Sequence, residues 1–86
     1  MYRIEFLRKA YEEFRSLDRP VQKLIKEKLD ILASNPEALK NNIKSLKGKH
    51  AGLYRLRVGN YRVIYKEDKD KLLILIIRVG HRREVY

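Results

Sequence analysis

Apolar and charged residues alternate in two separate parts of this chain, and a region with helical spacing lies between them. Near the N terminus, residues 2–7 (YRIEFL) alternate, which predicts a first strand. In the last third of the chain, residues 53–58, 61–66 and 72–79 show strand-like patterns again and predict three more strands. The pattern therefore predicts one strand before the helical region and three after it.

In the intervening residues, apolar side chains recur with a period of about 3.6 residues, which places them on one side of a helix. A first helix is predicted over residues 8–16. A second begins at residue 18 or 19, where Pro20 suits the first helical turn, and it ends before Pro36, because a residue that precedes proline avoids the α region. The break between the helices is short, so they should form an antiparallel hairpin. Beyond Pro36 we expect one helical turn and then a lysine-rich loop.

These elements predict an α+β fold in a single domain, residues 1–86. The expected architecture is an antiparallel β-sheet of about four strands, in the chain order β-α-α-β-β-β, with the helical hairpin packed on one face. A chain of 86 residues is close to the size at which one apolar core only just offsets the conformational entropy lost on folding. We therefore expect no second domain within these residues.

A Gly-Asn pair at residues 59–60 predicts a two-residue hairpin turn, which fixes how the flanking strands pair. Apolar and aromatic residues then share one face in three opposed pairs: Val58 with Tyr61, Leu56 with Val63, and Tyr54 with Tyr65. On the other face Arg57 lies opposite Arg62. Arg55 lies beside them, opposite Ile64. The register therefore predicts that the tyrosines pack in the core and that three arginines gather on the opposite face.

The opposed arginines suggest an anion-binding site. Like charges directly opposite each other destabilise a sheet by up to about 1 kcal/mol. A purely structural role would favour Thr or Glu at one of the two positions. The alternative is a solvated face on which the long arginine stems cover Ile64 and Leu53.

The charge balance indicates a partner of opposite charge. The chain has 21 Lys and Arg residues against 11 Asp and Glu, a formal charge of +10. A charge of this sign and size favours binding to nucleic acid or to an acidic protein. The absence of cysteine excludes disulfides and thiolate chemistry.

We expect a cytoplasmic protein with no membrane segment. Residues 1–15 lack the apolar stretch of a secretory leader, and the longest apolar run, residues 72–77, is far shorter than the ~20 residues of a membrane-spanning helix. We also expect no metal ion and no other cofactor. The two histidines, His50 and His81, are far apart in the sequence, and the EDKD segment is typical of a charged turn rather than of a metal site.

Two motifs resemble a known family. YRLRVGNYRVIY at residues 54–65 and RVGHRREVY at residues 78–86, preceded by a strand and two helices, resemble the RelE/ParE superfamily of type II toxin-antitoxin toxins. The resemblance covers essentially the whole chain and implies the same sheet-and-hairpin fold. It also implies one of two activities. RelE-like members enter the ribosomal A site and cut mRNA, whereas ParE-like members poison DNA gyrase without nuclease chemistry.

The resemblance to RelE-like ribonucleases implies functional residues at five positions of this sequence: Arg55, Arg57, Arg62, Arg82 and Tyr86. Arg62 and Arg82 would donate forked hydrogen bonds to the scissile phosphate as charge develops on it. Tyr86 or His81 would transfer a proton. The remaining basic candidates would bind the RNA backbone together with Arg55 and Arg57: Lys44, Lys47, Lys49 and Arg83.

The favoured hypothesis is therefore a type II toxin that acts as a ribosome-dependent, metal-independent mRNA endoribonuclease and inhibits translation. Its implied partners are an acidic antitoxin protein and the ribosome with its mRNA and rRNA. Two alternatives remain open at this point. One is a ParE-like gyrase inhibitor without nuclease activity, and the other is a small basic RNA-binding module without toxicity.

Overall fold

The alternating and helical regions form regular elements within residues 1–85, the part of the chain that the computed structural model describes. In chain order they are β1 (Arg3–Phe6), α1 (Arg8–Arg15), α2 (Arg19–Ser34), β2 (Ile43–Ser45), β3 (Tyr54–Val58), β4 (Tyr61–Asp68) and β5 (Leu73–His81). Two 3₁₀ segments, Pro36–Asn42 and Gly48–His50, flank β2. Both predicted helices are confirmed. Within the described residues, no helix has the length and apolar character needed to cross a membrane.

The strands form a single sheet in the order β1-β5-β4-β3-β2. Neighbouring strands run antiparallel, except that β1 pairs in parallel with β5. The α+β class and the sheet with its helical hairpin are confirmed. Two details differ from the prediction: the sheet has five strands rather than about four, and β1 makes it mixed rather than purely antiparallel.

Both differences have local causes. The sequence places β2 in a loop because three residues are too few to show an alternating pattern. The strand forms because Ile43 lies opposite Leu56 and packs on the core. For β1, the backbone N–H of Arg3 donates to the carbonyl of Leu72, just before β5, and that of Leu7 donates to the carbonyl of Ile76 within β5. These bonds hold β1 parallel to β5.

The helical hairpin covers one face of the sheet, and the main core lies between the two layers. The predicted pairing of β3 with β4 is confirmed from Tyr54 to Val58. Leu56 and Val63, at the centre of this pairing, are fully buried. The rings of Tyr54 and Tyr65 stack at 5.5 Å between centroids, and burial raises the pKa of Tyr65. As predicted, these tyrosines belong to the core.

The opposite face of the sheet, called here the outer face, carries a small second apolar cluster. Its members are Leu46, Leu53, Ile64, Ile77 and Val85. Four of these residues come from strands or from the segments beside them, and Val85 comes from the segment that follows β5. The outer face is therefore not purely polar, and residues beyond the last strand are packed onto it.

A β-bulge in β5 sets which side chains reach the outer face. Ile64 pairs with Arg78, and the next residue of β4 pairs with Ile76, so Ile77 is an extra residue on β5. Side chains alternate between faces along a strand, and an extra residue shifts the alternation by one. Gly80, opposite Arg62, consequently lies on the outer face.

β1 pairs only with residues 73–76 of β5. At the end of β5, the side chain of Glu13 on α1 accepts a backbone hydrogen bond that a neighbouring strand would otherwise accept. Its carboxylate accepts hydrogen bonds from the backbone N–H of Val79 at 3.0 Å and from Nε of Arg78 at 3.0 and 3.2 Å. The side chains of Glu13 and Arg78 are 22% and 37% exposed, so water only partly screens the pair. Glu13 thus joins α1 to the sheet and satisfies a backbone donor at its edge.

Replacing Glu13 by Ala should lower the free energy of unfolding by about 1 to 2 kcal/mol, because hydrogen bonds to a partly buried charged group are lost. Urea denaturation measures the change. The matched control is Glu12→Ala on the same helix, where the pair with Arg8 spans 3.6 Å between exposed side chains. Such surface pairs contribute little. If both variants lost the same free energy of unfolding, the role of Glu13 in joining α1 to the sheet edge would be contradicted.

Candidate functional site

Four arginines, called here the arginine cluster, meet on the outer face: Arg55, Arg57, Arg62 and Arg82. The first three lie on β3 and β4, and Arg57 is directly opposite Arg62, as the hairpin register predicts. Burial lowers the pKa of Arg62, and the positive charges of Arg55, Arg57 and Arg82 lower it further. All three neighbouring charges therefore act on the same guanidinium group.

Arg82 joins the cluster because the segment after β5 is tied to the turn between β3 and β4. The backbone N–H of Arg82 donates to the carbonyl oxygen of Asn60 at 2.8 Å. Asn60 is the second residue of that turn, one position before β4 begins. This bond brings a residue from the end of the chain beside Arg62.

The guanidinium group of Arg62 is held in place by the same turn. Its Nη1 atom donates to the carbonyl oxygen of Gly59 at 3.0 Å and to that of Tyr61 at 2.9 Å. An arginine carries five N–H donors in a fixed plane. Within residues 1–85, Nε and Nη2 of Arg62 have no hydrogen-bond partner, so donors remain for a ligand.

The described part of the chain does not neutralise the cluster. None of the ion pairs within residues 1–85 uses one of its four arginines. Nε of Arg55 is buried and has no acceptor among these residues. Arg78 differs, because Glu13 neutralises it at the edge of the sheet. The unpaired arginines thus form a surface that suits an anion with several oxygen acceptors, such as a phosphodiester.

The predicted RNA-binding residues lie at different distances from the cluster. Lys44 on β2 is directly opposite Arg55, so it extends the positive outer face by one strand. Lys47 and Lys49 are exposed in the segment between β2 and β3. Arg83 is exposed in the segment after β5. These residues widen the positive surface without entering the cluster.

His81 lies on the other side of the sheet from Arg62. It is opposite Tyr61 in the ladder, and the two rings meet edge to face at 5.6 Å between centroids. Tyr61 packs against the main core. Nδ1 of His81 also accepts a hydrogen bond from the backbone N–H of Arg83 at 3.2 Å. The structure therefore does not bring His81 together with the arginines, and Tyr86, the other proton-transfer candidate, lies outside the described residues.

Sequence reasoning missed the groups that bring Arg82 to the cluster. They are the carbonyl of Asn60, the small Gly80 and the apolar Val85. A signal for Val85 exists, since it is the one aliphatic residue within the charged segment HRREVY. Within residues 1–85, no three His, Cys, Asp or Glu side chains are grouped in a way that would hold a metal ion.

Comparison with known proteins gives consistent matches over the whole chain. Residues 4–86 match the family model for the ParE toxin of the type II toxin-antitoxin system parDE. The chain is 29% identical to the mRNA interferase toxin RelE of Escherichia coli strain K12, over 99% of this chain and 90% of that protein.

Solved structures agree with these matches. A chain of the RelBE2 toxin-antitoxin complex from Mycobacterium tuberculosis has a TM-score of 0.82 at 26% identity, covering 96% of this chain and 93% of that chain. A chain of the archaeal RelE-RelB complex from Pyrococcus horikoshii has a TM-score of 0.79 at 28% identity, covering 98% of both chains.

Replacing Arg57 by Gln should raise the free energy of unfolding at low salt, by up to about 1 kcal/mol, because one of two opposed like charges is removed. The gain should shrink at high salt, which screens exposed charges. Urea denaturation at two salt concentrations measures both effects. Lys23→Gln is the matched control, since Lys23 is exposed on α2, away from the cluster. A loss of stability in Arg57→Gln at low salt would show that the arginines do not strain the fold.

Proposed function

This chain belongs to the RelE/ParE superfamily, within the ParE toxin family of type II toxin-antitoxin systems, and we propose that it is a RelE-like toxin that cuts mRNA in the translating ribosome. The observation that carries the proposal is the arginine cluster. The charges of Arg55, Arg57 and Arg82 act on the guanidinium group of Arg62, and none of the ion pairs within residues 1–85 neutralises these arginines. Repulsion among these arginines does not stabilise the fold. It does make the outer face suited to an anionic substrate.

In the proposed reaction, the 2′-oxygen of the mRNA attacks the adjacent phosphorus and the bond from phosphorus to the 5′-oxygen breaks. The products carry a 2′,3′-cyclic phosphate and a 5′-hydroxyl. Negative charge grows on the phosphate oxygens as the 2′-oxygen adds. Arg62 and Arg82 donate hydrogen bonds to these oxygens, and donors preorganised in this way contribute several kcal/mol in a site that excludes water.

Two proton transfers complete the reaction: the 2′-hydroxyl loses a proton and the 5′-oxygen gains one. His81 is poorly located for either step, because it packs against Tyr61 on the core side of the sheet. We therefore assign proton transfer to Tyr86 or to groups that the ribosome contributes. This assignment predicts that free RNA is cut slowly or not at all.

The wider positive surface would hold the RNA chain. Arg55 and Arg57 on β3 and Lys44 on β2 would contact successive phosphates, and Lys47, Lys49 and Arg83 would add contacts at the margins. Contacts to phosphate position the RNA but do not read its sequence. Affinity would fall with salt, with a slope of about −0.7 for each phosphate contact on a single strand.

We propose an acidic antitoxin as the second partner. Both solved structures compared above are toxin-antitoxin complexes. A chain with a formal charge of +10 and an unneutralised cluster attracts an acidic segment by the same electrostatics that attract RNA. Such a segment would inhibit the toxin by occupying the outer face.

The name of the matched family model favours a second candidate, a ParE-like inhibitor of DNA gyrase. That function needs a binding surface but no reacting groups. A gyrase inhibitor would therefore not explain why Arg62 and Arg82 lie close together. The two functions differ in what happens to cellular RNA and DNA, so one induction experiment separates them.

Arg62→Ala should abolish toxicity and lower the cleavage rate by at least about 10²-fold, the usual cost of removing one donor that stabilises developing charge. Binding to the antitoxin should be largely retained. The measurement is mapping of RNA 5′ ends in cells that express the wild type or the variant, with new 5′-hydroxyl ends expected only for the wild type.

Arg3→Ala is the matched control for this experiment. It removes the same charge from an exposed arginine that pairs with Glu5 on β1, at the far edge of the sheet. It should cut mRNA as the wild type does. Intact mRNA together with stalled replication and DNA damage in wild-type cells would reject the ribonuclease in favour of the gyrase inhibitor. Cleavage that persists in Arg62→Ala would reject the assigned role of that residue.

A further inference from the structure

The last residue of β5 and the four residues after it fold back onto the outer face as a compact turn, residues 81–85, called here the C-terminal turn. The backbone N–H groups of Glu84 and Val85 both donate to the carbonyl oxygen of His81, at 2.8 and 3.1 Å. Arg82 lies at the start of this turn and donates to Asn60. Its backbone is therefore held from the β3–β4 side by one hydrogen bond.

Val85 anchors the other end of the C-terminal turn. It is 1% exposed and packs with Leu46 and Ile64 in the outer apolar cluster. Most of its neighbours in the sequence are charged, so its burial is the main apolar contact that this segment contributes. Val85 thus fixes the turn on the sheet at a point three residues beyond Arg82.

Gly80 makes room for this anchor. A Cβ atom added at Gly80 would lie 2.6 Å from Cγ2 of Val85, closer than real Cβ atoms approach other heavy atoms. No left-handed backbone conformation requires glycine at this position. The reason for glycine is therefore space rather than conformational freedom. Gly80 also lies directly opposite Arg62 in the ladder, so Val85 sits beside the strand position that carries the cluster.

The anchor acts against charge repulsion. Arg82 brings a fourth positive charge toward three others, and repulsion would drive an unattached segment away from them. The single backbone hydrogen bond from Arg82 to the exposed Asn60 holds the segment only weakly. Burial of Val85 opposes the repulsion, because leaving the sheet would expose its side chain to water.

We propose that Gly80 and Val85 are positioning residues: Val85, seated against Gly80, holds the C-terminal turn so that Arg82 and Arg62 meet the same phosphate. The proposal rests on the proposed ribonuclease function. Neither residue touches the substrate, and both act through Arg82. A misplacement of about 1 Å in a reacting group can cost about 10²-fold in rate.

The first test compares Val85→Ala with Val85→Ile in single-turnover cleavage of mRNA on programmed ribosomes. Val85→Ala should lower the maximal rate by about 10- to 10²-fold, with little change in the toxin concentration at half-saturation. Val85→Ile should retain most of the rate, because a cavity of about 140 Å³ beside Val85 has space for one more methyl group. Equal rates in wild type and Val85→Ala would overturn the proposal.

The second test separates positioning from general destabilisation. In an Arg82→Ala background, Val85→Ala should cause no further loss of rate, since the guanidinium group that it positions is absent. A further loss as large as that in the wild-type background would overturn the proposal. Urea denaturation of each variant ensures that rates are compared under conditions where every protein is folded.

The third test uses the contact between Gly80 and Val85. Gly80→Ala should lower the maximal rate, because the added methyl displaces Val85. In a Val85→Ala background, Gly80→Ala should cause little further loss of rate, since the shortened side chain leaves space for the new methyl. A double variant much slower than Val85→Ala alone would overturn the proposed contact.

Arg62→Ala keeps this proposal distinct from the proposed function. If the wild type cuts mRNA and Arg62→Ala does not, while Val85→Ala matches the wild type, only the positioning role fails. If the wild type cuts no mRNA on ribosomes, the proposed function itself fails.

Discussion

The fixed register of β3 against β4 is the constraint on which the site depends. A two-residue turn joins the strands, and the apolar side chains between Tyr54 and Tyr65 must face the helices. A slip of one residue between the strands would turn the arginines of one of them into the core, at the cost of burying unpaired charges. Burial of one face therefore directs the arginines of the other. The convergence of Arg55, Arg57 and Arg62 follows from the core, whereas Arg82 reaches them through the C-terminal turn.

The same constraint explains why the cluster is tolerated. The stabilising contacts lie mainly between the helices and the covered face, so like charges on the outer face do not interrupt them. Arginines whose role is structural are neutralised elsewhere, as Arg78 is by Glu13 and Arg3 by Glu5. Proteins commonly accept lower stability where a functional site needs it. Among the arginines on the strands, the presence of an acidic partner separates Arg3 and Arg78 from the functional candidates.

Much of the fold and part of the site follow from the sequence, because their signals are local. The hairpin register depends on the turn at residues 59–60 and on alternation over a few residues. The contact between Glu13 and Arg78 joins residues 65 positions apart, and no local pattern predicts it. The continuous apolar run before Arg78 also hides the bulge at Ile77. Strict alternation onward from Ile76 would place His81 on the outer face, whereas the bulge places it on the core side.

The bulge connects the fold to the site. If the ladder had no bulge and Ile77 paired with Ile64, strict alternation would turn Val79 outward and Gly80 toward the core. The position beside Arg62 would then hold a branched side chain, and no space would remain there for Val85. With the bulge, the smallest residue lies where the C-terminal turn must pack. The bulged pairing of β5 with β4 thus leaves the space in which the C-terminal turn packs beside the arginines of the hairpin.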